Sequence, residues 1–150
     1  MVGVGNMVKE KVPVFSFRNA KEPVFVLLVE DDKSDAFMAC RTVYNITEKS
    51  SKYDYFLDHA PSLKDALAAL ATDKYSAVLL DLSLTDAENL EAVDAIKAEF
   101  PQIPIIVLTN NENRHVQIDA KVKGVEDYLL KRHLSNNPHE VAQALDRTIK

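Results

Sequence analysis

From Pro23 onward, the hydrophobic positions of this chain switch repeatedly between two patterns: short continuous runs, and residues repeating every three to four positions. Val24–Val29 is unbroken apolar sequence, as a strand buried on both faces requires, and apolar residues follow at helical spacing from Ser34 to Asn45. Tyr53–His59 is a less hydrophobic strand suited to a sheet edge; Ser62, with Asp65 three residues on, resembles a capping box opening a helix through Ala66, Leu67 and Leu70. Ser76–Leu80 predicts a third strand, and Leu90, Val93, Ile96 and Phe100 mark the next helix. Pro101 and Pro104 lead into a fourth strand, Pro104–Leu108, and Gly124 is placed to end a helix built around Val116, Ala120 and Val122. Tyr128–Leu130 is a short fifth strand. Asn137-Pro138 supplies an N-cap and a first-turn proline for a last helix through Val141, Leu145 and Ile149. Strand and helix alternate five times without an internal repeat, which predicts an α/β fold: a doubly wound, five-stranded parallel sheet with helices on both faces.

The first 22 residues break this pattern. They hold Gly3, Gly5, Pro13 and a short apolar stretch, Val14–Phe17, with no sustained period, so residues 1–22 read as a flexible extension and 23–150 as the domain. Gly3-x-Gly5 has no preceding strand and no third glycine, so it is not a dinucleotide fingerprint.

Composition narrows the function classes. With 150 residues, 47% hydrophobic and 27% charged, one globular domain is expected, and a net charge of -5 argues against a nucleic-acid surface, Lys131-Arg132-His133 being too short a basic cluster to count. No run is long enough to span a membrane and Lys9, Glu10 and Lys11 interrupt any signal-peptide core, so a reducing cytoplasm is the expected location. The lone Cys40, at helical spacing among Ala36, Phe37, Ala39 and Val43, reads as a buried inert thiol. His59, His115, His133 and His139 are too scattered for a metal site.

Four polar residues each stand just past a predicted strand: Asp31, Asp81, Thr109 and Lys131. In an open α/β sheet ligands bind at the carboxyl ends of the strands where strand order reverses, so these four side chains are expected to converge. In a sheet of order 2-1-3-4-5, Glu30 and Asp31 leave β1 beside Asp81 leaving β3. Close carboxylates repel, so three of them must raise a pKa or hold a cation; an all-oxygen, water-accessible set suits Mg²⁺ or Mn²⁺. On the acids alone, a plainer reading stands equally: Glu30, Asp31 and Asp32 cap the following helix.

Thr109 and Lys131 break that tie. Leu27-Leu28-Val29-Glu30-Asp31-Asp32, Leu79-Leu80-Asp81-Leu82-Ser83-Leu84, Ile106-Val107-Leu108-Thr109 and Glu126-Asp127-Tyr128-Leu129-Leu130-Lys131 together resemble the receiver domain of two-component response regulators, over about residues 23–150. The resemblance implies a flavodoxin-like sheet. It makes Asp81 the phosphoryl acceptor, with Asp31, Asp81 and the Ser83 backbone carbonyl on the metal and Glu30 acting through a water. Thr109 and Lys131 would hold the phosphoryl oxygens, and Tyr128 would be the aromatic switch that turns inward when Thr109 moves. A carboxylate, a divalent cation, an ammonium and a hydroxyl suffice for phosphoryl transfer, which needs positioning and charge neutralisation above all. Without this context, Tyr128 reads equally as a half-buried strand aromatic.

Departures from the family pattern sharpen the expectations. Asn110 and Asn111 stand where alanine or glycine usually follows the threonine, at the rim of the site. Thr85 and Asn89 replace the common proline and glycine of the loop after Asp81, removing an easy positive-φ position. Arg132 replaces a proline often preceded by a cis bond; before a non-proline that bond costs about 2.5–4 kcal/mol, so the turn is either trans or strained and the reach of Lys131 is open.

The last helix uses nearly all the remaining sequence, so a stand-alone receiver is expected. It would take phosphate from a sensor histidine kinase or histidine phosphotransfer protein and signal to a protein partner, without being an enzyme in its own right. Two rivals belong to other classes. One is a pseudo-receiver scaffold that binds partners regardless of phosphate. The other is a haloacid-dehalogenase-like phosphatase, suggested by Asp81-x-Ser83-x-Thr85, which lacks the second aspartate that chemistry needs at Ser83 and follows the third strand instead of the first.

Overall fold

A computed structural model describes residues 21–50 and 52–149, with side chains described outside 47–50. The readings made for residues 1–20, Val14–Phe17 included, lie outside the described residues. The elements run β1 (Pro23–Val29), α1 (Lys33–Ser50), β2 (Asp54–Ala60), α2 (Leu63–Leu70), β3 (Ala77–Leu80), α3 (Glu91–Glu99), β4 (Ile105–Thr109), α4 (Arg114–Val122), β5 (Asp127–Leu130) and α5 (His139–Thr148). All strand pairings are parallel, as the alternation predicts, and the order is β2-β1-β3-β4-β5, as the flavodoxin-like resemblance implies, with β2 at an edge.

The continuous apolar runs are explained by the two layers they bury. One set of alternate residues, Leu27, Val29, Val78, Leu80, Ile105 and Val107, packs under Ala66 and Leu70 of α2, Val93 and Ile96 of α3 and Ala120 of α4. The other set, Val26, Leu28, Leu79, Ile106 and Leu108, packs under Ala36, Ala39 and Val43 of α1 and Val141, Ala144 and Leu145 of α5. Each fully buried Val, Leu or Ile contributes roughly 1.5–3 kcal/mol, so both faces of the central strands are strongly specified. Strand order reverses between β1 and β3, and Asp81, whose N–H donates to the Val29 carbonyl at 3.0 Å, emerges at that point.

Local signals account for the ends. Ser62 Oγ accepts from the Asp65 N–H at 3.0 Å and donates to its carboxylate at 2.9 Å, so the capping pair forms. Gly124, at φ +97°, ends α4: its N–H donates to the Lys121 carbonyl and the Val125 N–H to that of Ala120, a Schellman arrangement that needs a left-handed residue. Four expectations change. Helix α1 continues past Asn45 to Ser50. Helix α5 begins at His139, one residue later than anticipated, with no side-chain cap; instead the Glu140 N–H donates to the Asn137 carbonyl at 3.2 Å. Asn89 takes φ +50° itself, so the positive-φ turn survives without glycine because asparagine tolerates the left-handed region. Cys40 is half-buried instead of fully buried; burial and then the charge of Asp58 raise its thiol pKa.

Candidate functional site

Parallel pairing brings the carboxyl ends of β1, β3, β4 and β5 together, and Glu30, Asp31, Asp81 and Lys131 meet there. One carboxylate oxygen from each of Glu30, Asp31 and Asp81 lies within 4.8 Å of the others. Lys131 Nζ reaches this cluster from the end of β5, donating to Asp81 Oδ2 at 3.0 Å and pairing with Glu30 Oε1. Glu30 and Asp81 are 2% and 3% exposed, so neither carboxylate is left to bulk water. The Ser83 N–H donates to Asp81 Oδ1 at 3.3 Å, placing the start of the β3–α3 loop against the same carboxylate.

The capping alternative divides between residues. Asp32 takes that role, its Oδ1 accepting the Asp35 N–H at 2.9 Å. Glu30 instead turns inward, with its Oε2 accepting the Asp32 N–H at 3.1 Å and its Oε1 facing Lys131. His59, given no role from sequence, contacts the Glu30 carbonyl through Nε2; a carbonyl only accepts, so that nitrogen carries the proton and ties β2 to the end of β1.

Burial dominates the electrostatics. It pushes the Glu30 carboxyl up to about 7, against the opposing effects of Lys131 and the Asp32 N–H, and with the Asp81 charge adding to the rise. Burial works against the charged form of Lys131 as well, but hydrogen bonds to Glu30, Asp35 and Asp81 outweigh it and hold the ammonium above the ordinary lysine range.

The Lys131–Arg132 bond is not cis, as no cis bond occurs among the described residues; the chain enters a 3₁₀ turn at Lys131–His133 and Lys131 still reaches Asp81. Arg132 pairs with Glu112, linking this turn to the β4–α4 loop. Thr109 is fully buried and its Oγ1 accepts the Asn111 N–H at 3.3 Å. Tyr128 is 7% exposed and already turned inward, its hydroxyl donating to the Asn111 carbonyl at 2.7 Å; burial and then the Asp81 charge raise its pKa. Asn110 is exposed at the rim.

Sequence reading missed Asp35, on the first turn of α1, whose Oδ2 accepts from Lys131 Nζ at 2.9 Å; its partner lies 96 residues away and leaves no local signal. It also missed Asn113, the N-cap of α4, which three residues before Val116 carried a legible capping signal, and Asp86, which takes the Leu63 and Lys64 N–H groups at the head of α2. The last contact is between segments distant in sequence and had no local signal.

The donor set fits a divalent cation. It is all oxygen, it gathers within 4.8 Å, and counting Asp35 the carboxylates outnumber the one ammonium among them by four to one, an excess of negative charge that a hard dication offsets.

Comparison with known proteins agrees with this geometry. Residues 26–145 match the family model of the response regulator receiver domain. The chain is 28% identical over 106 residues to the transcriptional regulatory protein QseB of Haemophilus influenzae, covering 71% of this chain and 45% of QseB. Against the response regulator protein VraR of Staphylococcus saprophyticus it is 26% identical over 126 residues, 84% of this chain and 56% of VraR. This chain thus spans about half the length of these curated relatives. Among solved structures, the Mn²⁺-bound form of response regulator Rcp1 superposes with a TM-score of 0.68 at 28% identity, covering 85% of this chain and 98% of Rcp1. With the match extending over most of the chain and the strand-end acids gathered beside Lys131, the protein belongs to the response regulator receiver domain family.

Proposed function

We propose that this receiver accepts a phosphoryl group on Asp81 from a sensor histidine kinase or a histidine phosphotransfer protein. The observation that carries the reading is the meeting of a buried carboxylate, Asp81, with the Lys131 ammonium at 3.0 Å inside a three-carboxylate cluster. An Asp81 oxygen attacks the phosphorus of a phosphohistidine, an O–P bond forms as the P–N bond breaks, and the departing imidazole takes a proton from solvent. Lys131 and the Thr109 hydroxyl hold the phosphoryl oxygens, and water later cleaves the acyl phosphate to restore Asp81. Asp31 and Asp81, the Ser83 carbonyl and, through a water, Glu30 would hold Mg²⁺ or Mn²⁺; the Mn²⁺-bound form of Rcp1 supports this. When bound, the ion neutralises charge that builds on the transferring phosphoryl group.

Intact-mass measurement after incubation with a small phosphodonor and Mg²⁺ tests the reading. One phosphoryl adduct is expected on the parent and none on Asp81→Asn. Binding of partners with no adduct under any donor would favour the scaffold reading, and turnover of a phosphomonoester the phosphatase one.

A further inference from the structure

Lys131 uses its three donors on three carboxylates, Glu30, Asp81 and Asp35, and these are not equivalent. Glu30 and Asp81 are buried and belong to the group whose oxygens gather within 4.8 Å. Asp35 is outside that group, on the first turn of α1, with 45% of its side chain exposed and 2.9 Å from Nζ. A dication in the cluster competes with the ammonium for Glu30 and Asp81 and repels it at short range. Asp35 is the one partner that stays fully available.

We infer that Asp35 is a positioning residue for Lys131: it holds the ammonium at the edge of the pocket while a divalent cation occupies the carboxylates, so that Lys131 remains in reach of the group arriving on Asp81. The inference rests on the proposed phosphoryl chemistry for its purpose, but not for its test. Without Asp35, the ammonium depends wholly on Glu30 and Asp81 and excludes the cation more strongly.

The probe is Mg²⁺ alone, titrated by thermal shift and by amide resonances into the parent, Asp35→Asn, Asp35→Glu, Lys131→Met and the double variant Asp35→Asn/Lys131→Met. Asp35→Asn is expected to raise the Mg²⁺ Kd about two- to fivefold, the low end of coupling between contacting groups because Asp35 is half exposed. Asp35→Glu should restore most of the loss. In the Lys131→Met background the same substitution should change Kd by less than about 1.5-fold, because the coupling has been removed. An equal loss in both backgrounds overturns the inference, since Asp35 then acts on the cation directly; so does an unchanged Kd in Asp35→Asn. Should Lys131→Met fail to fold, the Lys131 ammonium resonance decides: with saturating Mg²⁺ it should be slow to exchange in the parent and lost to solvent exchange in Asp35→Asn, and retention in both sinks the idea. A parent that binds Mg²⁺ with this coupling yet never takes phosphate overturns the proposed function alone.

Discussion

Asp31 is the acid of the cluster with no part in the Lys131 contacts among the described residues, so its charge is the one best placed for a cation. Removing it relieves repulsion inside the cluster. Asp31→Asn is expected to leave the protein equally or more stable without Mg²⁺ and to abolish most of the stabilisation that Mg²⁺ brings. At tenfold saturation that stabilisation is about 1.4 kcal/mol in the parent. Melting temperatures across an Mg²⁺ series decide the point, and an unchanged response in the variant removes Asp31 from the site. At Tyr128 the buried ring carries its polar tip on the Asn111 carbonyl, so Tyr128→Phe should cost about 0.5–1.5 kcal/mol by urea unfolding while leaving Asp81 open to labelling. A Phe variant as stable as the parent shows that this hydrogen bond contributes nothing.

At the scale of elements, the loop after β3 ties the site to a helix on the other side of the switch point. Asp86 accepts the N–H groups of Leu63 and Lys64 at 2.9 and 3.0 Å, satisfying two of the donors that open α2. These backbone hydrogen bonds lower its pKa below the ordinary 3.8. A carboxylate with a depressed folded-state pKa stabilises above its unfolded value, and that contribution disappears as pH falls through the folded value. Asp86→Ala should therefore cost about 0.5–1 kcal/mol near neutral pH, the low end of cap energies because the side chain is exposed. The difference from the parent should close as pH falls from the ordinary carboxylate value through the lowered folded-state one. Urea unfolding at several pH values checks it; a gap that persists once the carboxylate is protonated assigns the loss to something other than a charged cap. On β4–α4, Thr109, Asn111 and Asn113 form a relay, with the Asn113 N–H on Asn111 Oδ1 at 2.9 Å and Asn113 Oδ1 capping α4. Asn111, which departs from the family pattern, is thus a structural part of this loop.

For the whole molecule, that relay joins the pocket to a surface. Tyr128 is already inside, so the expected response to phosphate is a tightening of Thr109, Asn111 and Tyr128 and of the helices they adjoin, instead of a long swing of the ring. Beryllofluoride with Mg²⁺, as a phosphoryl mimic, should shift amide resonances in 112–123 and 133–148 as well as around Asp81, and Thr109→Ala should keep phosphorylation but lose much of that distant response. Moving a two-state balance from 1:99 to 99:1 needs about 5.5 kcal/mol of differential binding, more than a few new hydrogen bonds to a phosphoryl group supply, so partial shifts are expected. Changes confined to the Asp81 pocket would falsify this coupling.

Much of this architecture was legible in the sequence because its causes are local. Period-two and period-3.6 patterns follow from where a strand or helix sends its side chains, and buried parallel strands demand continuous apolar runs, so five βα units and the strand-end residues Asp31, Asp81, Thr109 and Lys131 were readable before any coordinates. Ser62 and Gly124 were readable for the same reason, since a cap acts within its own turn. Other features depended on chain segments far apart in sequence meeting in space. Lys131 and Asp35 are 96 residues apart, Asp86 and Leu63 are 23 apart, and the division of labour between Glu30 and Asp32 turns on which carboxylate the buried ammonium reaches. A hydrogen bond or ion pair of that kind leaves no periodic trace, because it is selected by distance in the folded chain; only the tertiary structure decided it.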